Sequence, residues 1–272
     1  MPSSGDDRRA RFHELHGSGR ILLLPNAWDV GSARLLEAAG FEALATTSAG
    51  LAWSLGKPDQ GVTRNELLQH VDALAAAVGV PLSVDSERCY ADTPAGVAET
   101  VRLLADAGAA GCSIEDYDPA AGAVDEVGRA AERVAAAAEE TGRTGMVLTA
   151  RAESHLYGGT DLDDTIARLR AYHEAGADVV YAPGLRDAQQ IAALVASVEA
   201  PVNVLALAGG PSVAELVTLG VRRVSTGGAL ASVAYAAMLR AARELQADGT
   251  STYAQTGLTP SERAVFDLPA GG

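Results

Sequence analysis

Short apolar runs rich in Val, Leu, Ile and Ala alternate along the chain with longer segments in which apolar residues recur every three or four positions. The short runs are typical of buried strands, and the longer period is that of amphipathic helices. The runs predict eight strands, over residues 21–25, 43–48, 82–85, 110–115, 146–151, 178–182, 202–206 and 222–226. A helix is predicted after each strand, over residues 30–39, 64–78, 94–107, 126–141, 162–175, 188–197, 212–219 and 229–247.

Three of the predicted helices end alike, in EAAGFEAL, ADAGAAGC and EAGADVVY, with a glycine that closes the helix before the next strand. Eight strands in strict alternation with eight helices indicate a (β/α)8 TIM barrel rather than an open doubly wound sheet. We expect one barrel domain over residues 1–272. Residues 1–20 would form an N-terminal extension and residues 250–272 a C-terminal tail, because both segments lie outside the alternation.

Composition narrows the class of protein. Hydrophobic residues make up 48% of the chain and aromatic residues only 4%, so the core must be aliphatic. The formal charge of −14 repels phosphate backbones, so nucleic acid is not expected as a partner. No apolar run reaches the roughly 18 residues of a membrane span, and the N-terminus lacks the apolar stretch of a signal peptide. With two cysteines and no disulfide framework, we expect a cytoplasmic protein without a membrane partner.

Polar residues crowd the predicted carboxyl ends of the first five strands. Enzymes with this fold place their chemistry there, because the loops at that end surround one shared mouth. The polar residues and their neighbours at these ends are Asn26, Trp28, Asp29, Ser48, Asp85, Glu87, Glu115, Asp116, Arg151 and Glu153. The last three strands contribute only Tyr181, Asn203 and Thr226.

Strand periodicity directs three carboxylates, Asp85, Glu87 and Glu115, toward one place beside Arg151. Without compensation, such a cluster in a partly dry mouth costs several kcal/mol. A divalent cation would relieve it, and oxygen-only ligands favour Mg²⁺ or Mn²⁺. Zinc is disfavoured because no histidine near the mouth has a His or Cys partner at ligand spacing. The alternative is a metal-free ion network of these acids with Arg88 and Arg151.

Other candidate groups have weaker signals. Lys57, the only lysine, lies in a predicted loop rather than on a strand, which argues against an imine mechanism. Cys89 has no nearby histidine, so we expect it to pack rather than react. The glycine pairs in LAGGPS (207–212) and STGGAL (225–230) are compatible with a phosphate cradle, but tight turns after the strands explain them more simply.

Four segments in order resemble the isocitrate lyase/phosphoenolpyruvate mutase superfamily, and the likeness extends from about residue 25 to residue 249. They are TTSAGLAWSLGKPDQG (46–61), VPLSVDSERCYAD (80–92), GCSIED (111–116) and LTARAES (148–154). The resemblance implies a Mg²⁺-dependent barrel enzyme that makes or breaks C–C or C–P bonds beside a carboxylate. It also implies a homo-oligomer, a dimer or a tetramer, in which the C-terminal barrel helix is exchanged between subunits.

The resemblance also implies residue roles. The metal ligands would be Asp85, acting directly, with Glu87 and Glu115 acting through waters. Asp59 would contact the reacting group and Arg151 would neutralise the developing enolate, so the expected catalytic residues are Asp59, Glu115 and Arg151. A substrate carboxylate would be held by Ser48 and the backbone of Ala49, Gly50 and Leu51, together with Arg151. Two further residues at strand ends, Trp28 and Asn203, are expected to line the substrate pocket.

The chain departs from the superfamily in the loop after the fourth strand. This loop, DYDPAAGAVDEVGR, has none of the Cys, Lys, His or Asn residues that work there in lyases and phosphonate enzymes. Decarboxylation needs less acid assistance than expulsion of a poor leaving group. We therefore expect a lyase for a small 2-oxo or 2-hydroxy di- or tricarboxylate, with oxaloacetate-type decarboxylation as the first candidate. Alternatives are retro-aldol cleavage of a methylisocitrate or 2-alkylmalate type of substrate, and a barrel reduced to binding or scaffolding.

Overall fold

The computed structural model describes residues 4–269, so the first and last three residues of the expected domain lie outside it. Its main sheet is parallel and contains β1 (Leu22–Leu24), β2 (Asn26–Ala27), β3 (Leu44–Thr46), β4 (Leu82–Asp85), β5 (Gly111–Glu115), β8 (Val147–Arg151), β9 (Val179–Tyr181), β10 (Val202–Leu205) and β11 (Arg223–Ser225). A separate antiparallel hairpin is formed by β6 (Tyr117–Asp118) and β7 (Ala123–Val124). The main sheet has the strand order β1-β11-β10-β9-β8-β5-β4-β3-β2.

The first predicted strand is split in two at Pro25, which has no N–H to donate to a neighbouring strand. On one side of the break β1 pairs with β11, and on the other side β2 pairs with β3. The carbonyl of Pro25 still accepts a hydrogen bond from Ala45 N at 2.9 Å. Counting β1 and β2 as one strand, the sheet closes into the predicted eight-stranded barrel.

The helices surround the sheet and begin at residues suited to capping. They are α1 (Ser4–Gly17), α2 (Val30–Ala38), α3 (Ser48–Ser54), α4 (Arg64–Ala77), α5 (Pro94–Asp106), α6 (Val127–Thr144), α7 (Leu162–Glu174), α8 (Ala188–Ser197), α9 (Val213–Thr218), α10 (Ala229–Asp248) and α11 (Pro260–Arg263). Thr63, for example, accepts from Glu66 N, and the Glu66 side chain accepts from Thr63 N. The predicted helices thus form within a few residues of their expected bounds.

The N-terminal segment is a helix that closes the amino end of the barrel, and the hydrophobic pattern did not predict it. Phe12 and Leu15 of α1 are buried in a cluster with apolar residues from the amino ends of the strands. Arg8 donates to the carbonyls of Ala75 and Val78, at the end of α4. Arg9 donates likewise near the ends of α5 and α6. Among the described residues, α1 thus covers the amino end of the barrel and leaves the carboxyl end as the side from which a ligand enters.

The predicted second strand, 43–48, ends early because its last residues start a short helix. Thr47 accepts from Gly50 N and begins α3 at Ser48. Gly50 lies so close to its neighbours that a Cβ there would stand 2.6 Å from Thr47 Cγ2 and 2.8 Å from Trp28 Cβ. Only glycine permits this packing, which sets Ser48 at the mouth of the barrel.

The final long helix, α10, packs little against its own chain. Ala231 is its only residue that is fully buried among the described residues. Large apolar side chains on it are exposed to solvent, namely Val233, Met238, Leu239 and Leu245. The tail folds back over α2, where Arg34 Nη2 donates to the carbonyls of Val265 and Leu268. Exchange of α10 between subunits therefore stays a prediction.

Candidate active site

The carboxyl ends of the strands surround a cavity of about 200 Å³. Most of the strands of the barrel contribute to its wall. Of the residues expected to bind substrate or to react, the cavity is lined by Ser48, Ala49, Asp59, Asp85, Arg151 and Asn203. Gly50 and Leu51 are buried behind the wall, and Trp28 packs against Gly50 rather than lining the cavity. The structure thus brings most of the expected pocket residues together.

Arg151, the last residue of β8, is the centre of an ion network. Its Nη1 lies 2.7 Å from Asp85 Oδ1, its Nη2 lies 3.2 Å from Glu115 Oε2, and its Nε lies 2.7 Å from Glu153 Oε1. Its guanidinium also lies over the Tyr181 ring, 5.6 Å from the centroid. Burial lowers the pKa of Arg151, but the three carboxylates outweigh burial and raise it well above its usual value. The guanidinium is therefore a fixed positive charge.

Asp85 is held from both sides. Ser48 donates to Asp85 Oδ2 from its backbone N and from Oγ, each at 2.9 Å, while Arg151 bonds the other oxygen. Asp85 N donates to Thr46 Oγ1, which ties β4 to β3 at this level. Ser48, expected to bind substrate, thus also orients Asp85.

The loop after α3 reaches over the same network. Gln60 Nε2 donates to Glu115 Oε1 at 2.9 Å, and Gln60 N donates to Asp59 Oδ1 at 3.0 Å. Burial, and after it the charge of Asp85, raises the pKa of Asp59. Burial also raises the pKa of Glu115, with Arg151 acting in the opposite direction. Asp59 is thus suited to holding a proton, whereas Glu115 is the carboxylate partner of Arg151.

Glu87 occupies a different position from the other expected metal ligands. It lies in a turn where three non-glycine residues have left-handed backbone angles, with φ of 48° at Glu87, 61° at Cys89 and 52° at Tyr90. Its side chain lines a neighbouring cavity beside Gln60 and Tyr90, not the cavity of Asp85. Its Oε1 is buried without a hydrogen-bond partner. Burial, followed by the charge of Asp85, raises the pKa of Glu87 to about 8.

Whether a metal ion fits the site depends on the donor atoms of Asp85, Glu87 and Glu115. Within residues 4–269, no group of three or more His, Cys, Asp and Glu side chains is arranged to hold a metal. Arg151 pairs with Asp85 and Glu115, as the ion-network alternative expected, but Arg88 pairs with other acids, namely Asp92, Asp118 and Asp125. The side chains of Asp85 and Glu115 nevertheless offer only oxygen donors, which a hard cation prefers, whereas Glu87 and its unpartnered Oε1 belong to the neighbouring cavity. The residues therefore fit Mg²⁺ or Mn²⁺ in donor chemistry, and their role as ligands stays a prediction.

A buried ion cluster beneath the turn after β4 was not found from the sequence. Arg133 of α6 is 1% exposed; it lies 3.1 Å from Asp125 Oδ2 and also donates to the carbonyls of Arg88, Ala91 and Glu115. Arg88 lies 2.8 Å from the same oxygen of Asp125. The only signal in the sequence is a charged residue on the face that α6 buries.

The unusual loop after the fourth predicted strand, which is β5 in the structure, forms the β6–β7 hairpin. The ring of Tyr117 stacks on that of Tyr157, with 3.7 Å between centroids and 8° between planes. Arg88 lies 3.4 Å from Asp118 on the same hairpin. Asp116, at the end of β5, turns away from the network and accepts from Tyr172 Oη and from Glu153 N. The contacts with Tyr157 and Arg88 thus hold the hairpin in place.

The remaining candidates take structural roles. Burial raises the pKa of the Cys89 thiol to about 11, in keeping with the expected packing role. Lys57 pairs with Glu66 of α4, 2.5 Å away. Asn26 Oδ1 accepts from Thr226 N and Gly227 N, which closes the barrel between its first and last strands. Among the helices of residues 4–269, none is long and apolar enough to cross a bilayer.

Comparison with known proteins agrees with this architecture. The sequence profile of the phosphoenolpyruvate phosphomutase family matches residues 12–246. The chain belongs to this family, within the phosphoenolpyruvate mutase/isocitrate lyase superfamily, and family members are lyases or mutases. The resemblance found in the sequence is thus confirmed.

The sequence and structural similarity to individual relatives is as follows. The chain is 39% identical over 237 residues to an uncharacterized protein of Mycobacterium tuberculosis, covering 85% of each. It is 32% identical over 247 residues to the oxaloacetate decarboxylase of Paraburkholderia xenovorans, covering 85% of this chain and 80% of that protein. A crystal structure of a Burkholderia cenocepacia protein assigned as a lyase/mutase superposes with a TM-score of 0.94 at 47% identity, covering 98% of this chain and 99% of that one.

Proposed function

We propose that the protein is a divalent-metal-dependent C–C lyase for a small 2-oxo or 2-hydroxy di- or tricarboxylate, with oxaloacetate-type decarboxylation as its first candidate reaction. The observation that carries the proposal is the fixed Arg151 cation on the wall of the strand-end cavity, beside Ser48 and Asp85. The relative named oxaloacetate decarboxylase supports the choice of first substrate.

The proposed reaction builds negative charge on the substrate as a bond next to its 2-oxo group breaks. Arg151 is held by Asp85, Glu115 and Glu153 before any substrate binds, so it stabilises that charge without having to move. Ser48 would hold the substrate carboxylate at the start of α3 by releasing its N–H and hydroxyl from Asp85, together with the backbone of Ala49. Asp59 lines the same cavity, and because burial raises its pKa it is suited to deliver or accept a proton there.

Asp85 would hold Mg²⁺ or Mn²⁺ directly, with Glu115 acting through water; Glu87 would take part by turning from the neighbouring cavity toward Asp85. When bound, the ion would supply a Lewis acid that polarises the 2-oxo group. Arg151 and Asp59 would act on the substrate beside Asp85, in the same cavity. The β6–β7 hairpin offers no Cys, Lys or His for acid catalysis, so Asp59 is the group proposed to replace the missing loop acid.

The proposal is tested by following oxaloacetate loss and pyruvate formation with purified protein, with and without EDTA. We expect turnover with Mg²⁺ or Mn²⁺, loss of turnover in EDTA, and a fall of about 10²-fold in Asp59→Asn. The matched control is Asp72→Asn, because Asp72 is exposed on α4. A rate equal to the metal-catalysed background would reject decarboxylation. Release of two carbon fragments from a 2-alkylmalate would instead support the retro-aldol alternative.

A further inference from the structure

The cavity continues inward, past the Arg151 network, to a floor formed around Arg223. This residue of β11 is 4% exposed and lines the cavity. Its Nε donates to Asn203 Oδ1 at 2.9 Å, and its Nη2 donates to Thr149 Oγ1 at 2.8 Å. Its Nη1 lies 3.4 Å from His16 Nε2. Burial lowers the pKa of His16 to about 4, so this imidazole is neutral at pH 7, as are the other two partners.

Arg223 is a buried cation without a counterion. No carboxylate in the described part of the chain lies within ion-pair distance of it, whereas Arg151 has three. Burial lowers the pKa of Arg223 to about 10. An uncompensated charge in a protein interior is costly, and residues 4–269 provide no acid to offset it. The missing negative charge is therefore expected to come from a ligand.

The wall around Arg223 offers hydrogen-bond donors. Ser113 Oγ is buried without a partner, and Ser113 lines the same cavity. Further hydroxyls come from Ser83, Thr149 and Ser225 on three other strands. A site with a cation and several hydroxyls is matched by a group that only accepts hydrogen bonds. A carboxylate is such a group, and it can bind a guanidinium with two parallel bonds.

The geometry points to a second anion subsite at the cavity floor, in which Arg223 binds a carboxylate. Two sources share this chemistry: a non-reacting carboxylate of the substrate, or a separate small anion such as formate. The first source rests on the proposed function. The two cations line one cavity and share a neighbour, since Tyr181 lies against Arg151 and pairs in register with Asn203, the partner of Arg223. A single extended ligand would thus reach from one arginine toward the other.

The substrate source has a chemical consequence. A carboxylate paired with a buried cation is stabilised as the anion, so it is not the group that leaves as CO₂. The ligand class favoured by the floor is then a 2-oxo or 2-hydroxy acid that carries a carboxylate beyond the reacting carbon, which oxaloacetate lacks, so this source favours the longer acids within the proposed substrate class. Five-carbon 2-oxodicarboxylates and tricarboxylates are acids of this class.

The test compares ligands of equal length by titration calorimetry in Mg²⁺ buffer, with the full chain. One matched pair is 2-oxoglutarate and 2-oxopentanoate, which differ in the far carboxylate. We expect the dicarboxylate to bind wild type at least about tenfold more tightly. Arg223→Gln should abolish that preference and leave the affinity for 2-oxopentanoate unchanged. The matched control is Arg222→Gln, an equal loss of charge at the neighbouring exposed position, which should keep the preference.

Formate distinguishes the two sources. If wild type shows no dicarboxylate preference but formate raises its melting temperature, and does so only when Arg223 is present, the floor binds a separate anion. Equal affinity for the matched pair together with no effect of formate on wild type overturns the subsite, and this readout does not need a folded variant. A folded Arg223→Gln that weakens both ligands equally also overturns it. Turnover of oxaloacetate is measured separately, so its absence would reject the proposed function without deciding on the floor.

Discussion

Arg151 Nη1 lies 2.7 Å from Asp85 Oδ1, although the two residues are 66 positions apart. Asp85 ends β4 and Arg151 ends β8, and β5 lies between these strands in the sheet. Each strand end alone would expose its charge to water. Curvature of the closed barrel brings the two side chains across β5, where they share a partly dry site with Glu115 and Glu153.

Removing the Arg151 charge should affect both catalysis and folding. In Arg151→Gln three buried carboxylates lose their common partner, so we expect the free energy of unfolding at pH 7 to fall by about 3–5 kcal/mol. Loss of a preorganised charge should lower kcat/KM for the lyase reaction by at least about 10²-fold. Urea denaturation and steady-state kinetics measure these quantities.

Arg102→Gln is the control for Arg151, because Arg102 forms an exposed pair with Asp106. We expect it to change stability by less than about 1 kcal/mol and to leave the rate unchanged. If Arg151→Gln behaves like Arg102→Gln in both measurements, the ion network is not the centre of the site.

Arg133 is expected to be a structural anchor rather than a catalytic group. Arg133→Leu removes the donor that binds the carbonyls of Arg88, Ala91 and Glu115 and leaves the buried Asp125 with fewer cations. We predict a loss of about 3–5 kcal/mol in the free energy of unfolding, measured by urea denaturation. Arg129→Leu, which touches Asp125 from an exposed position, should cost much less. Equal losses in the two variants would contradict this role.

His16 should make the fold sensitive to acid. Burial, and then the charge of Arg223, lowers the pKa of His16 from 6.5 to about 4. The unfolded chain therefore binds this proton first as the pH falls, so the contribution of His16 is constant above pH 6.5 and stability is lost between pH 6.5 and 4. The slope for one group is at most about 1.4 kcal/mol per pH unit.

The variant His16→Gln should show a smaller loss of stability than wild type between pH 7 and 5, measured by urea denaturation at each pH. His13→Gln, at an exposed position of the same helix, serves as the control. His70 adds a similar acid sensitivity, since burial lowers its pKa to about 4 as well, and it is present in all three proteins. Identical pH slopes for wild type and His16→Gln would rule out the assignment.

The apolar surface of α10 predicts a homo-oligomer. Val233, Met238 and Leu239 are exposed in the single chain, and Trp53 adds an aromatic ring beside the helix. We expect a dimer or tetramer by light scattering coupled to size exclusion. The double variant Met238→Glu and Leu239→Glu should give smaller species, because buried charges oppose association. Ala73→Glu, on the exposed side of α4, should not. A monomeric wild type would refute the prediction.

The architecture could be predicted from the sequence because its signals are local. Alternation of short apolar runs with helical periods indicated the barrel, and strand ends marked Ser48, Asp85 and Arg151 as neighbours. The sequence pattern did not predict two helices, one in a polar segment and one that is short. The helix α1 has a weakly amphipathic sequence and is fixed by Phe12 and by arginines that cap other helices. The helix α3 begins at a residue that the β pattern had included in a strand.

The arrangement of charges was decided by tertiary structure. The sequence determined which strand ends carry acids and which carry arginines, because position in a strand follows from a period of two residues. Whether an acid meets an arginine depends on barrel closure and on the turns between elements. Glu153 meets Arg151 because it is only two residues away, but pairing of β5 with β8 added Glu115, curvature of the barrel added Asp85, and neither brought a carboxylate to Arg223. The left-handed turn directed Glu87 into a neighbouring cavity, since a positive φ reverses the direction that strand alternation had predicted.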